Sequence, residues 1–127
     1  MLRSAQTIAV VGLSGDPGRE SNSVARYLQA VGYRIVPVNP HEDEVLGERA
    51  FPSLGDLPQA PDIVDVFRRA EHTPAVARDA VAIGAKVLWL QSGIVSEESR
   101  RIAEEGGLSY VEDECTRTVH QILVASS

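Results

Sequence analysis

Gly12-Leu13-Ser14-Gly15-Asp16-Pro17-Gly18, followed closely by Ser21-Asn22-Ser23, is the part of this chain best suited to chemistry. Glycines at 12, 15 and 18 allow main-chain N–H groups to crowd together without side chains in the way. A helix starting just beyond them adds the unpaired amides of its first turn. Such a nest of donors attracts phosphate. Arg68-Arg69 supplies two guanidinium forks suited to bidentate phosphate contact. Asp113, Cys115 and His120 could in principle do nucleophilic chemistry, but five residues separate the thiol from the imidazole, which is not a same-face spacing on a helix. A Cys–His pair also needs an oxyanion site and an orienting partner. Cys115 is expected to be a small, semi-buried structural thiol, the alternative being a redox-sensing cysteine that forms a mixed disulfide. His41 and His72 show no zinc-ligand spacing, and no metal is expected.

These residues have to be positioned by elements that the pattern makes visible. Short, nearly continuous apolar and β-branched runs occur at Thr7–Val11, Arg34–Val38, Ile63–Phe67, Lys86–Leu90 and Ser109–Val111. Strands buried on both faces look like this. Val24, Leu28 and Val31 repeat at helical spacing before Gly32, and Val76, Ala80 and Ile83 before Gly84. Thr73-Pro74 reads as a cap followed by proline at the first helical position. Ser96-Glu97-Glu98 starts a third helix that Gly106-Gly107 ends. A last helix should follow Cys115, with Val119, Ile122 and Leu123 inward. The stretch from Pro40 to Pro61 is expected to be loop with short helical turns. Strand and helix alternate, so the fold class is α/β: a three-layer, Rossmann-like, doubly wound parallel sheet of about five strands with helices on both faces. Residues 1–127 are read as a single domain.

In such sheets ligands sit at the carboxyl ends of the strands, where strand order reverses. Four segments should therefore converge: Gly12–Ser14, Val38–His41, Phe67–Arg69 and Gln91–Ile94. Each also has a plainer reading. The glycine turn can be a tight connection. Ser21 or Ser23 can be a helix cap. Val38-Asn39-Pro40 and Gln91-Ser92-Gly93 can be ordinary turns. Phe67 can be core, and Arg68 and Arg69 solvated. Trp89, inside an apolar strand, is read as core.

Composition narrows the ligand. A formal net charge of −6 argues against a nucleic-acid partner, yet leaves room for a small anion held by local amides and arginines. The single cysteine, Cys115, excludes an internal disulfide, in keeping with a cytoplasmic setting. No signal peptide or membrane span is expected. A dinucleotide fingerprint would be G-x-G-x-x-G with an acid closing the second strand. Here the spacing is G-x-x-G-x-x-G, and that strand closes on Val38-Asn39-Pro40, with Glu42 lying beyond the proline.

Several blocks, taken in order, carry a resemblance. They are Val10-Val11-Gly12-Leu13-Ser14, Gly32-Tyr33, Val36-Pro37-Val38-Asn39-Pro40, Val45-Leu46-Gly47, Pro52-Ser53-Leu54, Asp65-Val66-Phe67-Arg68-Arg69 and Gly84-Ala85-Lys86-Val87-Leu88-Trp89-Leu90-Gln91. The chain resembles the small stand-alone CoA-binding proteins, which are similar to the CoA-binding domain of the succinyl-CoA ligase α subunit. Asp113, Cys115 and His120 match a D-x-C-x4-H ending of that family, although Val119 stands where a glutamate often precedes the histidine.

The resemblance implies a coenzyme A or acyl-CoA site. Gly12, Leu13, Ser14 and Gly15, with Ser21, Asn22 and Ser23 at the helix start, would take phosphates. Val38, Asn39 and Pro40 would flank the adenosine, and Phe67, Arg68 and Arg69 would form the opposite wall; Gln91 and Gly93 are candidates from their place after the fourth strand. No catalytic residue is assigned, because the ligases keep their phosphohistidine and ATP-handling parts outside this domain. The alternatives are an NAD(P)-binding sensor and an interaction module with a vestigial site; a protein partner or self-association stays open. A branched side chain at Gly12 is expected to block phosphate approach while sparing the fold.

Overall fold

The chain runs β1 (Thr7–Val11), α1 (Glu20–Ala30), β2 (Arg34–Val38), β3 (Glu44–Val45), β4 (Glu48–Arg49), β5 (Ile63–Val66), α2 (Thr73–Ile83), β6 (Val87–Leu90), α3 (Glu97–Glu105), β7 (Ser109–Val111) and α4 (Thr116–Ala125) in the computed structural model, which describes residues 1–126. Five strands form one sheet in the order β2-β1-β5-β6-β7, and each neighbouring pair is parallel. The expected Rossmann-like α/β fold is the fold observed. From β1 the chain crosses to β2 on one side, and β5 then takes the other side. The order therefore reverses between β1 and β5, the kind of switch point at which open α/β sheets take ligands.

Alternation along each strand feeds two cores. Ala9, Val11, Val64, Val66, Leu88 and Leu90 face α2 and α3, meeting Ala77, Ala80 and Ala103. Ile8, Val10, Ile35, Ile63, Val87 and Trp89 face α1 and α4, meeting Val24, Ala25 and Leu28. Val24 and Leu28 are fully buried, each stabilising the fold by roughly 1.5–3 kcal/mol relative to exposure. Burial on both faces is why the strands read as unbroken apolar runs.

The helix ends agree in part with expectation. Ser96 caps α3, its Oγ accepting from Ser99 N–H at 3.1 Å. Gly84 closes α2 in the left-handed conformation. Thr73 is not a cap: it lies inside the first turn of α2, donates to the Ala70 carbonyl at 2.7 Å, and bonds Ser99 Oγ at 2.8 Å. It stitches α2 to α3. Val119 and Leu123 pack toward the sheet, but Ile122 is 59% exposed, because α4 turns only one narrow face inward. The stretch after Pro40 contains a 3₁₀ turn at Leu54–Asp56, as expected, and also the small β3–β4 hairpin. Two-residue strands show no periodicity, so the hairpin was not legible. Among the described residues no helix is long and apolar enough to cross a membrane.

Candidate functional site

The glycine loop leaves β1 at the switch point. Gly12 has φ +85°, and a Cβ there would lie 2.6 Å from the Phe67 carbonyl oxygen. Its N–H donates to the Val38 carbonyl at 2.8 Å, prolonging the β1–β2 ladder by one bond. The residue must be glycine because two backbones cross there. The expectation that Gly12→Val spares the fold is therefore corrected: the clash is with main chain, which has nowhere to go.

Beyond Gly12 the loop is anchored from α1. Leu13 is fully buried in the α1-side core. Ser14 is held twice: its N–H donates to Ser21 Oγ at 3.0 Å, and its carbonyl accepts from Asn22 Nδ2 at 2.9 Å. Ser21 and Asn22 are both buried. The cap reading of Ser21 and Ser23 is corrected as well. Arg19 occupies the cap position without a side-chain cap bond, and Ser23 Oγ accepts from Arg117 at 2.8 Å. The loop's amides do not face open space. Gly15 N–H donates to Glu42 Oε2 at 2.6 Å, Asp16 N–H to Ser14 Oγ at 3.0 Å and Gly18 N–H to Asp16 Oδ1 at 2.9 Å. The donors that receive no side-chain cap are those of the first turn of α1.

The segment after β2 braces the loop. Asn39 Nδ2 donates to the Leu13 carbonyl at 3.0 Å while Asn39 Oδ1 accepts from His41 N–H at 2.9 Å. Val38 packs into the α2-side core, and Pro40 is exposed.

The segments after β5 and β6 form a cavity of about 380 Å³. Phe67, Arg68 and Arg69 make one wall, and Gln91, Ser92 and Ile94 another; Glu20 of α1 and Cys115, just before α4, close it. Both arginines are exposed. Arg68 reaches back over the glycine loop, its Cδ 3.1 Å from where a Gly12 Cβ would stand. Gly93 lies outside this cavity, and its N–H donates to Asp113 Oδ1 at 2.7 Å. The expected residues thus fall into two adjoining sets: the anchored loop with its brace, and the arginine-bearing cavity.

Beneath the cavity lies a buried polar cluster that the sequence reading missed. Gln91 Nε2 donates to Asp65 Oδ1 and, at 2.9 Å, to Thr116 Oγ1, which donates in turn to Asp65 Oδ2 at 3.1 Å. All three side chains are buried. Burial pushes the Asp65 carboxyl up to about 7, against the opposing pull of its bonds from Gln91 and Thr116. A signal was available: Asp65 is the one acid inside an otherwise apolar strand. The cluster ties β5 and β6 to the start of α4, and so turns Cys115 toward the cavity.

The arrangement suits anion binding better than bond breaking. Arg68 and Arg69 offer charge-assisted donors. His120 is hydrogen-bonded through Nδ1 to Tyr27 Oη at 2.7 Å and packs edge-on against Tyr33. It lines a different cavity from Cys115.

Residues 6–121 match the CoA binding domain family. The chain belongs to that family. The residue blocks had pointed to it. This CoA-binding-domain protein is 42% identical over 122 residues to the uncharacterized protein YneT of Bacillus subtilis (strain 168), covering 96% of this chain and 90% of YneT. Its fold superposes on the cell-free ID.343 protein of Thermus thermophilus with a TM-score of 0.92 at 40% identity, over 96% and 92% of the two chains. It is also 30% identical over 101 residues to acetate–CoA ligase [ADP-forming] II of Archaeoglobus fulgidus. That match spans 78% of this CoA-binding-domain protein but 15% of the ligase.

Proposed function

We propose that this protein binds coenzyme A or an acyl-CoA at the β1–β5 switch point and performs no chemistry of its own. The observation that carries the reading is an arginine-walled cavity beside a side-chain-anchored glycine loop, in a chain matched to the CoA binding domain family over residues 6–121. The diphosphate would lie against the glycine loop and the first turn of α1, where amides and helix dipole favour negative charge. Arg68 and Arg69 would hold phosphate oxygens. The pantetheine arm would run along Phe67 and Ile94 toward Cys115.

The placement of the candidate groups supports the binding-only reading. Cys115 and His120 line separate cavities, and Asp113 is engaged with Gly93 N–H. Among the described residues these three do not come together as nucleophile, base and orienting group.

Calorimetric titration with CoA, run beside an assay for acyl-CoA formation from acetate or succinate with ATP, tests both halves. Saturable 1:1 binding without turnover is expected. Arg68→Ala should weaken CoA about tenfold through a lost charge-assisted contact. Turnover by the protein alone would overturn the binding-only reading, and no heat or thermal shift with CoA would overturn the ligand.

A further inference from the structure

Among the described residues, Glu42 is the one charged side chain from outside the loop and helix α1 that accepts a hydrogen bond from the glycine loop. Its Oε2 accepts from Gly15 N–H at 2.6 Å, short even for a charge-assisted bond. A Cβ built on Gly15 would come within 2.9–3.2 Å of the three carboxylate atoms, so the carboxylate fills the space directly over that amide. Among the described residues no lysine or arginine pairs with Glu42.

The contact is built into the fold. Glu42 N–H donates to the Asn39 carbonyl at 3.3 Å, and Asn39 Nδ2 donates to the Leu13 carbonyl at 3.0 Å. One residue therefore grips both the glycine loop and the segment that delivers the acid. From the other side, Ser21 and Asn22 fix the direction of the Ser14 peptide groups. Both partners of the Gly15–Glu42 bond are held by independent tethers.

We propose that Glu42 is a resident anion of the glycine loop, which competes with ligand phosphate for Gly15 N–H and so sets the affinity of the site. This rests on the reading that the loop takes the ligand's phosphate. A carboxylate over the amide presents the same charge and acceptor geometry as a phosphate oxygen. A diphosphate arriving at the first turn of α1 must displace it or lie against like charge. Glu42 thereby keeps the site selective for ligands with enough further contacts, such as those to Arg68 and Arg69, to win the exchange.

The test is CoA titration of the full chain as wild type, Glu42→Gln and Glu42→Ala, with Glu44→Gln as a charge control at an exposed position two residues on. Circular dichroism confirms folding of each. Both Glu42 variants should bind CoA more tightly, the alanine by about tenfold, because the competing charge-assisted bond is gone. Glu44→Gln should match wild type. Equal or weaker binding by the Glu42 variants, with wild type still binding, overturns the competition and leaves CoA binding standing. An equal gain from Glu44→Gln overturns it too, since general charge would then be the cause. Failure of every form to bind CoA overturns both this inference and the function on which it rests.

Discussion

Gly12 and Asp65 are both tightly constrained by their neighbours. At Gly12 a methyl group would have to share space with the Phe67 carbonyl while the backbone stays at φ +85°. Gly12→Ala should cost about 2–4 kcal/mol of stability, the sum of the left-handed penalty and an unrelieved backbone clash; urea unfolding measures it. Asp65 makes stability depend on pH in a definite direction. Its carboxyl titrates near 7 in the folded protein, against an ordinary value of 3.8. Between these values the unfolded chain has already released the proton that the native state retains. The contribution of Asp65 to stability is therefore full below about pH 4 and is lost as pH rises through 7. Asp65→Asn keeps a donor and an acceptor in place but cannot ionise. The variant should lose most of the decline in unfolding free energy between pH 5 and pH 8, a difference on the order of a few kcal/mol. A wild-type protein equally stable at both values would contradict the burial argument.

At the scale of elements, α1 does two things: it packs against the sheet through Val24, Ala25 and Leu28, and it grips the glycine loop through Ser21 and Asn22. These functions are separable. Ser21→Ala combined with Asn22→Ala should leave helix content by circular dichroism nearly unchanged and reduce CoA affinity severalfold, because the loop would have to be ordered on binding. The five strands and four helices of the main sheet were legible in the sequence because two-sided burial writes long β-branched runs, and amphipathic helices write their period. The crevice was legible for the same reason, since strand ends follow from strands. What the sequence did not carry was the routing of donors between distant loops. Gly15 with Glu42, Gly93 with Asp113, and Ser23 with Arg117 are pairs chosen by tertiary placement. Thr73 reads locally as a cap, yet α3 draws its hydroxyl away to Ser99. Asp65 reads as an anomaly in a strand until Thr116 and Gln91 are brought beside it.

The whole molecule has a net charge of −6, so an anionic ligand approaches against the overall field. Screening over about 8 Å at physiological ionic strength damps that opposition at longer range, and the local amides and arginines decide the outcome. The chain contains one tryptophan, and its position has a practical consequence. Trp89 is 2% exposed in β6, with its indole N–H donating to the Glu114 carbonyl at 2.7 Å. That bond holds the chain one residue ahead of Cys115, at the joint between sheet and α4. If the last helix lifts away, water reaches the indole and its emission moves to the red while the remaining ellipticity persists. The molecule carries its own optical gauge of how firmly the final helix is seated, readable without any label.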